Sequence, residues 1–274
     1  MERPSAWKNY EEAVLEALEK AASDYRGFIS RCKTERECAE EIVSRLQAHG
    51  YRDLDEAIGK GEALQPGAKV YTCVMGKAVL SFHLGKQPLE KGMNIVGAHI
   101  DSPRLDIKQN PLYEDTELAF ADTHYYGGIK KYQWVARELA LHGVVAKKDG
   151  TVRSIVIGED EDDPVVGISD LLIHLASDQM GKKLSEGVSG ENLDIILAGQ
   201  PLAGEEKDAV KAMLLKILKE KYDLEEEAPL AVRSLISSIR SSICPRTGRT
   251  STSGSSRPVG RMTCSTCCWL TDSS

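Results

Sequence analysis

A nearly continuous apolar run, MNIVGAH at residues 93–99, restricts the fold more than any other stretch of the sequence. Such a run suits a strand that is buried on both faces, as in the middle of an α/β sheet. Before it, KVYTCV and AVLSFHL flank MGK, which predicts a β-hairpin over residues 69–84. We therefore expect a layered α/β domain in which helices pack on a sheet.

The first fifty residues are predicted to form two helices. In TERECAEEIVSRLQAHG, Thr34 lies at an N-cap position and Glu37 at the reciprocal position of a capping box. Gly50 can take the left-handed conformation that ends a helix. The apolar residues that share one face of this second helix are Ala39, Ile42, Val43 and Leu46.

Beyond Pro103 the sequence predicts a second, β-rich domain with two helices. A short helix is expected in SDLLIHLASDQ, beginning at Ser169 or Asp170, because either side chain can cap it. A longer helix is indicated by the spacing of apolar residues in DAVKAMLLKILKEKY, residues 208–222. The predicted strands of this domain are QWVARELALHGVVA, TVRSIVI and NLDIILA.

Composition limits the partners that this chain can have. The formal net charge is -7, whereas a nucleic-acid-binding surface carries clustered Lys and Arg. No apolar run approaches the roughly 20 residues that cross a bilayer, and the start MERPSAWKNYEEAV lacks the features of a signal peptide. We therefore expect a cytoplasmic protein that binds peptides or small molecules, and neither nucleic acid nor a membrane.

The segment VGAHIDSPRL places His99 and Asp101 two positions apart at the end of the apolar run. Residues two apart on a strand point to the same side, so the pair could form part of a zinc site, with the carboxylate orienting the imidazole. Alternatively, His99 is a hydrogen-bonded histidine at a strand end and Asp101 forms a turn before Pro103. The three-residue motif alone favours the second interpretation, because short motifs often occur by chance.

A much longer stretch carries a family resemblance. NIVGAHIDSPRLDIKQNPLYEDTELAFADTHYYGGIKKYQWVARELALHGVV, together with IGEDEDDPVVGISDLLIHLA, resembles the aspartyl aminopeptidase and vacuolar aminopeptidase I family of zinc metallopeptidases. The resemblance extends from the first helix to about Glu227. It implies an α/β sandwich that is interrupted by a β-rich dimerisation domain. Residues 1–103 would be the first part of the proteolytic domain, and residues 104–229 the dimerisation domain, through which the protein would form homo-oligomers.

The resemblance also implies roles for individual residues. His99 would be a ligand of one of two zinc ions, and Asp101 the carboxylate that orients it. His174 would reach the active site of the partner subunit. The implied activity is the removal of N-terminal residues, acidic ones in part of the family, from peptides. THYYGG, residues 123–128, matches the family too, but we interpret its tyrosines as packing residues.

The last 45 residues differ from the rest in composition. Residues 230–274 hold twelve Ser, six Thr, six Arg, no Lys and four of the seven Cys. Such a segment predicts disorder, because it offers few residues for a core. A zinc site at Cys264, Cys267 and Cys268 is disfavoured, because structural zinc takes four ligands, Cys244 is the only other cysteine nearby, and no histidine follows His174.

The family's other metal ligands follow motifs that this chain does not contain. Read from the third base of each codon, a back-translation of RPVGRMTCSTCCWLTD permits A-C-G-Q-D-D-L-F-Y-M-L-L-A-D, which includes the family's G-x-D-D motif. We therefore interpret the tail as frameshifted near Ala228, with early termination at Ser274. Such a truncated member is expected to be inactive by itself. The alternative is a non-catalytic module that only pairs through its dimerisation domain.

Overall fold

The computed structural model describes residues 5–146, 150–160, 163, 165–222 and 235–239, the side chains of the last segment and of residues 221–222 excepted. The chain divides into two compact units, and the division falls between Asp101 and Ser102. The boundary expected between residues 103 and 104, which separates two domains of the family, stays a prediction. No described helix is both long and apolar enough to cross a membrane.

The first unit combines three helices with a three-stranded sheet. Strand β1 pairs in parallel with β2, and β2 pairs antiparallel with β3. The hairpin predicted between β2 and β3 is present, and its turn residues Met75 and Gly76 both have positive φ, which is typical of a tight hairpin turn. The elements are α1 (Glu12–Arg31), α2 (Glu35–Ala48), β1 (Arg52–Asp53), α3 (Leu54–Gly59), β2 (Lys69–Val74) and β3 (Ala78–His83).

Helix α2 begins where the sequence predicts. The Thr34 hydroxyl accepts a hydrogen bond from the Glu37 backbone N–H at 3.3 Å, and Glu37 Oε2 accepts one from the Thr34 N–H at 2.8 Å. Both halves of the capping box are therefore formed. Gly50 lies just beyond the helix with φ of 79°, which confirms its predicted role in ending the helix.

The prediction of a buried strand at residues 93–99 is wrong. Residues 92–103 have no helix or strand, and the side chains of Ile95 and Val96 are 82% and 64% exposed. A strand persists only when a neighbour takes up its backbone hydrogen bonds, and no described strand pairs with this segment. The α/β class is nevertheless confirmed by the helices and sheets on either side.

The second unit is built around a closed antiparallel sheet. Its strand order is β10-β4-β5-β9-β8-β6-β7, and β10 also pairs with β6, so six of the strands form a ring and β7 extends it. Closure removes the unpaired edges that an open sheet exposes. The strands are β4 (Arg104–Asp115), β5 (Leu118–Tyr126), β6 (Glu138–Ala146), β7 (Val152–Ile157), β8 (Val166–Gly167), β9 (Ile195–Ala198) and β10 (Leu235–Ile239).

Apolar residues from most of these strands and their connections meet in one core. The core is formed by alternate strand positions, as expected for a sheet with one face turned inward. Its members include Leu105, Ile107, Ala121, Trp134, Leu139, Leu141, Val166, Ile168, Leu193 and Ile195. Outside the ring, helix α5 (Ala209–Tyr222) follows the predicted apolar spacing, and the carboxylate of Glu114 accepts hydrogen bonds from the N–H groups of Val210 and Lys211 in its first turn.

Two predicted elements of this unit differ from the structure. Strand β6 begins at Glu138 rather than at Gln133, because Ala136 has a left-handed φ of 54° that a strand does not accommodate. The helix predicted from Ser169 or Asp170 is also wrong. Only a short 3-10 turn, Ile173–Leu175, forms there, and the one-turn helix α4 (Ser177–Met180) follows.

The tail predicted to be disordered lies outside the described residues, apart from β10. For those five residues the prediction of disorder is wrong, because their backbone pairs with β4 on one side and with β6 on the other. Two strands that both need a neighbour provide hydrogen bonds for any extended segment that lies between them.

Candidate metal centre

The structure brings His99 and Asp101 together at the end of the segment that was expected to be a strand. The Nδ1 atom of His99 lies 3.0 Å from the Asp101 carbonyl oxygen and 3.3 Å from Asp101 Oδ1. Both oxygens can only accept, so Nδ1 carries the proton and the lone pair of the neutral imidazole is on Nε2. The side chains are 61% and 41% exposed. This is the arrangement in which a carboxylate orients a metal-binding histidine.

One imidazole with one carboxylate does not make a complete zinc site. A catalytic zinc ion takes three protein ligands, and a structural one takes four. Over the described part of the chain, no group of three or more His, Cys, Asp or Glu side chains is placed to hold a metal ion. The described residues therefore do not fit a whole zinc centre, although His99 and Asp101 fit one ligand and its orienting partner.

His174 lies on the second unit, in the 3-10 turn Ile173–Leu175. The turn sits in an apolar segment that faces solvent, where the side chains of Leu172 and Leu175 are 72% and 70% exposed. An accessible imidazole among exposed leucines suits contact with another protein surface. The assignment of His174 to a partner subunit's active site stays a prediction.

The sequence analysis missed Arg104 and Asp106, at the start of β4. The guanidinium of Arg104 is almost fully buried, its Nε lies 2.7 Å from Asp106 Oδ1, and it covers the ring of Tyr126 at 4.1 Å. Side chains two positions apart on a strand point to the same side of the sheet. The Arg-x-Asp spacing could therefore have predicted this ion pair from the sequence. The pair anchors the strand that directly follows the His99 segment in the chain.

The packing role predicted for the tyrosines of THYYGG fits these contacts in part. The ring of Tyr126 packs against the Arg104 guanidinium, and the ring of Tyr125 stacks on that of His124, with 5.4 Å between the ring centroids. The two tyrosines are nevertheless 42% and 39% exposed. Gly127 has φ of 75°, and a side chain there would touch Pro103. Glycine adopts this φ without strain, and the chain bends here directly after β5.

Comparison with known proteins gives consistent matches over most of the chain. Residues 28–240 match the family described as aminopeptidase I zinc metalloprotease (M18). A protein of Clostridium acetobutylicum named probable M18 family aminopeptidase 1 is 52% identical over 227 residues, which cover 82% of this chain and 49% of that protein.

Two crystal structures share the fold at clear sequence identity. Aminopeptidase I from Clostridium acetobutylicum has a TM-score of 0.76 and 46% identity, covering 87% of this chain and 52% of its own. An M18 aminopeptidase from Thermotoga maritima has a TM-score of 0.76 and 43% identity, covering 86% and 50%. The chain thus spans about half the length of the relatives that it matches.

Proposed function

Because the chain belongs to the aminopeptidase I family of zinc metalloproteases, we propose that it serves the zinc-dependent removal of N-terminal residues from peptides. The observation that carries this proposal is the family match over residues 28–240, which includes His99 and Asp101 in the geometry of a metal ligand and its orienting carboxylate. Nε2 of His99 is the proposed ligand atom for one of two zinc ions.

We propose further that these 274 residues are inactive by themselves. The chain spans about half the length of its relatives, and the described residues supply a single ligand with its orienting group. The test is chelator-sensitive release of N-terminal residues by the purified chain, with the Clostridium acetobutylicum relative assayed in parallel. Release by the chain alone would contradict inactivity, and no release by the relative would contradict the proposed activity.

A complementation experiment separates the two proposals. The chain is refolded with the C-terminal half of the Clostridium acetobutylicum relative. Over the 227 residues that the two proteins share, this relative is 52% identical to the chain. We expect zinc-dependent release to appear in the mixture and to be absent from either half. The same mixture with His99→Ala should stay inactive, whereas Lys86→Ala, a change at an exposed position of the same unit, should leave the release intact.

The residue preference of the proposed aminopeptidase is either acidic or neutral. Comparing aminoacyl p-nitroanilides of Asp, Glu, Leu and Ala on the complemented protein decides between them. Faster release from Asp and Glu would place the enzyme with the members of the family that prefer acidic residues.

The proposed location is the cytoplasm, which fractionation of the source cells would test.

A second proposal concerns the homo-oligomer. The apolar segment around His174 favours contact with another copy of this chain, because leucines exposed next to each other gain stability when they are buried together. The exposed apolar side chains of this region are Leu171, Leu172, Ile173, Leu175, Met180 and Leu184. This observation also supports the alternative function, a non-catalytic module that only pairs with itself.

The mass of the purified chain in solution tests the second proposal. Sedimentation should show a dimer or a larger species, and Leu172→Glu with Leu175→Glu should convert it to a monomer. Lys183→Glu, at an exposed position near the same segment, is the matched control for added negative charge. A monomer before any substitution would contradict pairing.

The coding DNA around codon 228 tests the proposed frameshift.

A further inference from the structure

Two thiols meet where helix α1 ends and α2 begins. Cys32 directly follows α1, and Cys38 lies in the first turns of α2. The Cys38 thiol is 4.0 Å from the Cys32 carbonyl oxygen and also hydrogen bonds to the Cys32 side chain. Cys38 is buried, at 6% exposure, whereas Cys32 is partly open to solvent. Cys32 is thus the more accessible residue of the two.

The backbone between the two cysteines is held in place. The Cys32 N–H donates to the Phe28 carbonyl at 2.9 Å, which continues the hydrogen bonding of α1. Glu37 Oε2 accepts from the N–H groups of Lys33 and Thr34, each at 2.8 Å. These hydrogen bonds on both sides of the junction hold Cys32 and Cys38 next to each other in the folded chain.

The surroundings favour ionisation of the accessible sulfur. The hydrogen bond from Cys38 lowers the pKa of the Cys32 thiol, with a smaller contribution from the nearby Arg31. Partial burial and the carboxylates of Glu41 and Glu37 act in the opposite direction, and the pKa is lowered on balance. Since the thiolate is the reactive form, Cys32 is the nucleophile of the pair.

We propose that Cys32 and Cys38 form a peroxide-sensitive dithiol site that closes to a disulfide. The Cys32 thiolate attacks hydrogen peroxide, the O–O bond breaks, and Cys32 becomes a sulfenic acid while the leaving hydroxide takes up a proton as water. The Cys38 sulfur then attacks the Cys32 sulfur. The S–O bond breaks, the S–S bond forms, and the Cys38 proton leaves with the hydroxide as a second water. Both sulfurs are oxidised, and the peroxide is reduced.

The disulfide would tie the end of α1 to the first turns of α2 across the capping box. A cross-link of this kind restricts the unfolded chain, so the oxidised junction is harder to unfold than the reduced one. The site couples the oxidation state of the surroundings to the stability of the helical pair. This inference does not depend on the proposed aminopeptidase activity.

Peptide mapping of the full chain tests the proposal. Trypsin cleaves after Arg31, Lys33 and Arg36, so Cys32 and Cys38 fall on separate peptides, residues 32–33 and 37–45. After peroxide treatment and alkylation, we expect the two peptides to be joined, with a mass two hydrogen atoms below the sum of the two reduced peptides. Dithiothreitol should separate them. Cys73, which is partly buried on β2, should remain alkylated at the same dose.

Two variants identify the order of the steps. In Cys38→Ser, dimedone should trap a sulfenic acid at Cys32, and in Cys32→Ser, Cys38 should stay a thiol. Unlinked Cys32 and Cys38 peptides in the wild-type chain, or Cys32 joined to another cysteine instead, would overturn the proposal without reference to either variant. Oxidation of Cys38 at an undiminished rate in Cys32→Ser would do the same.

Discussion

At the scale of single residues, His99 is exposed, and its described contacts join Nδ1 to the carbonyl oxygen and to Oδ1 of Asp101. Replacing an exposed side chain of this kind changes the free energy of unfolding by about 0.5 kcal/mol or less. We therefore expect His99→Ala to leave both the melting temperature and the zinc content of the 274-residue chain unchanged. Calorimetry and atomic absorption after dialysis measure the two quantities. Stoichiometric, chelator-resistant zinc that the variant loses would show a more complete site than the described residues form.

Thr34, unlike the exposed His99, is buried, and its hydroxyl completes a capping box. Thr34→Ala removes the acceptor for the Glu37 N–H, and loss of such a cap costs about 1 kcal/mol. The midpoint of urea unfolding, followed by circular dichroism, should fall accordingly. Thr34→Ser keeps the hydroxyl and serves as the control, and an equal loss in both variants would contradict the role of the cap.

At the scale of elements, helices α1 and α2 are joined through Arg45. Its guanidinium contacts Asp24 of α1 at 2.9 Å and Glu41 of α2 at 2.9 Å, and it covers the Phe28 ring. Hydrogen bonds from Arg45 are the main cause that lowers the pKa of both carboxyl groups. A lowered pKa in the folded state means that folding favours the ionised carboxylates.

The pH dependence of this helical pair follows from that direction. Stabilisation is present above the ordinary carboxyl pKa and is lost as the pH falls through the lowered values of the folded state. Arg45→Met should lower stability at neutral pH, with about 0.3–0.5 kcal/mol from the Glu41 pair. Below the lowered pKa values the variant and wild-type curves should converge. Urea midpoints measured across acidic pH check this, and a constant difference at every pH would contradict it.

At the scale of the whole molecule, the chain divides into two compact units, and the hydrophobic cluster around Leu105 belongs to the second. Leu105 is fully buried within the closed sheet of the second unit, so Leu105→Ala should cost about 2–5 kcal/mol there. Hydrogen exchange of β4, β5 and β6 should become faster, while exchange in α1 and α2 should not change. Val152→Ala, at a position 62% exposed on β7, is the control. Faster exchange throughout both units would show that they unfold as one.

What the sequence determined by itself is the set of elements that local interactions stabilise. The capping box at Thr34 and Glu37, the hairpin turn at Met75 and Gly76, and the apolar spacing of α5 all involve residues a few positions apart. Such signals act before any long-range contact forms, and therefore they can be recognised in the linear chain. The family was equally recognisable, because it rests on a long match rather than on one short motif.

The tertiary structure alone decided which extended segments became strands. The run at residues 93–99 has the composition of a buried strand but no described neighbour to pair with, whereas Leu235–Ile239, in a tail expected to be disordered, has two. The exposed segment around His174 likewise did not become the predicted helix, since its leucines have no described core to cover. Backbone pairing and burial are contributed by partners distant in sequence, and for that reason composition alone did not reveal them.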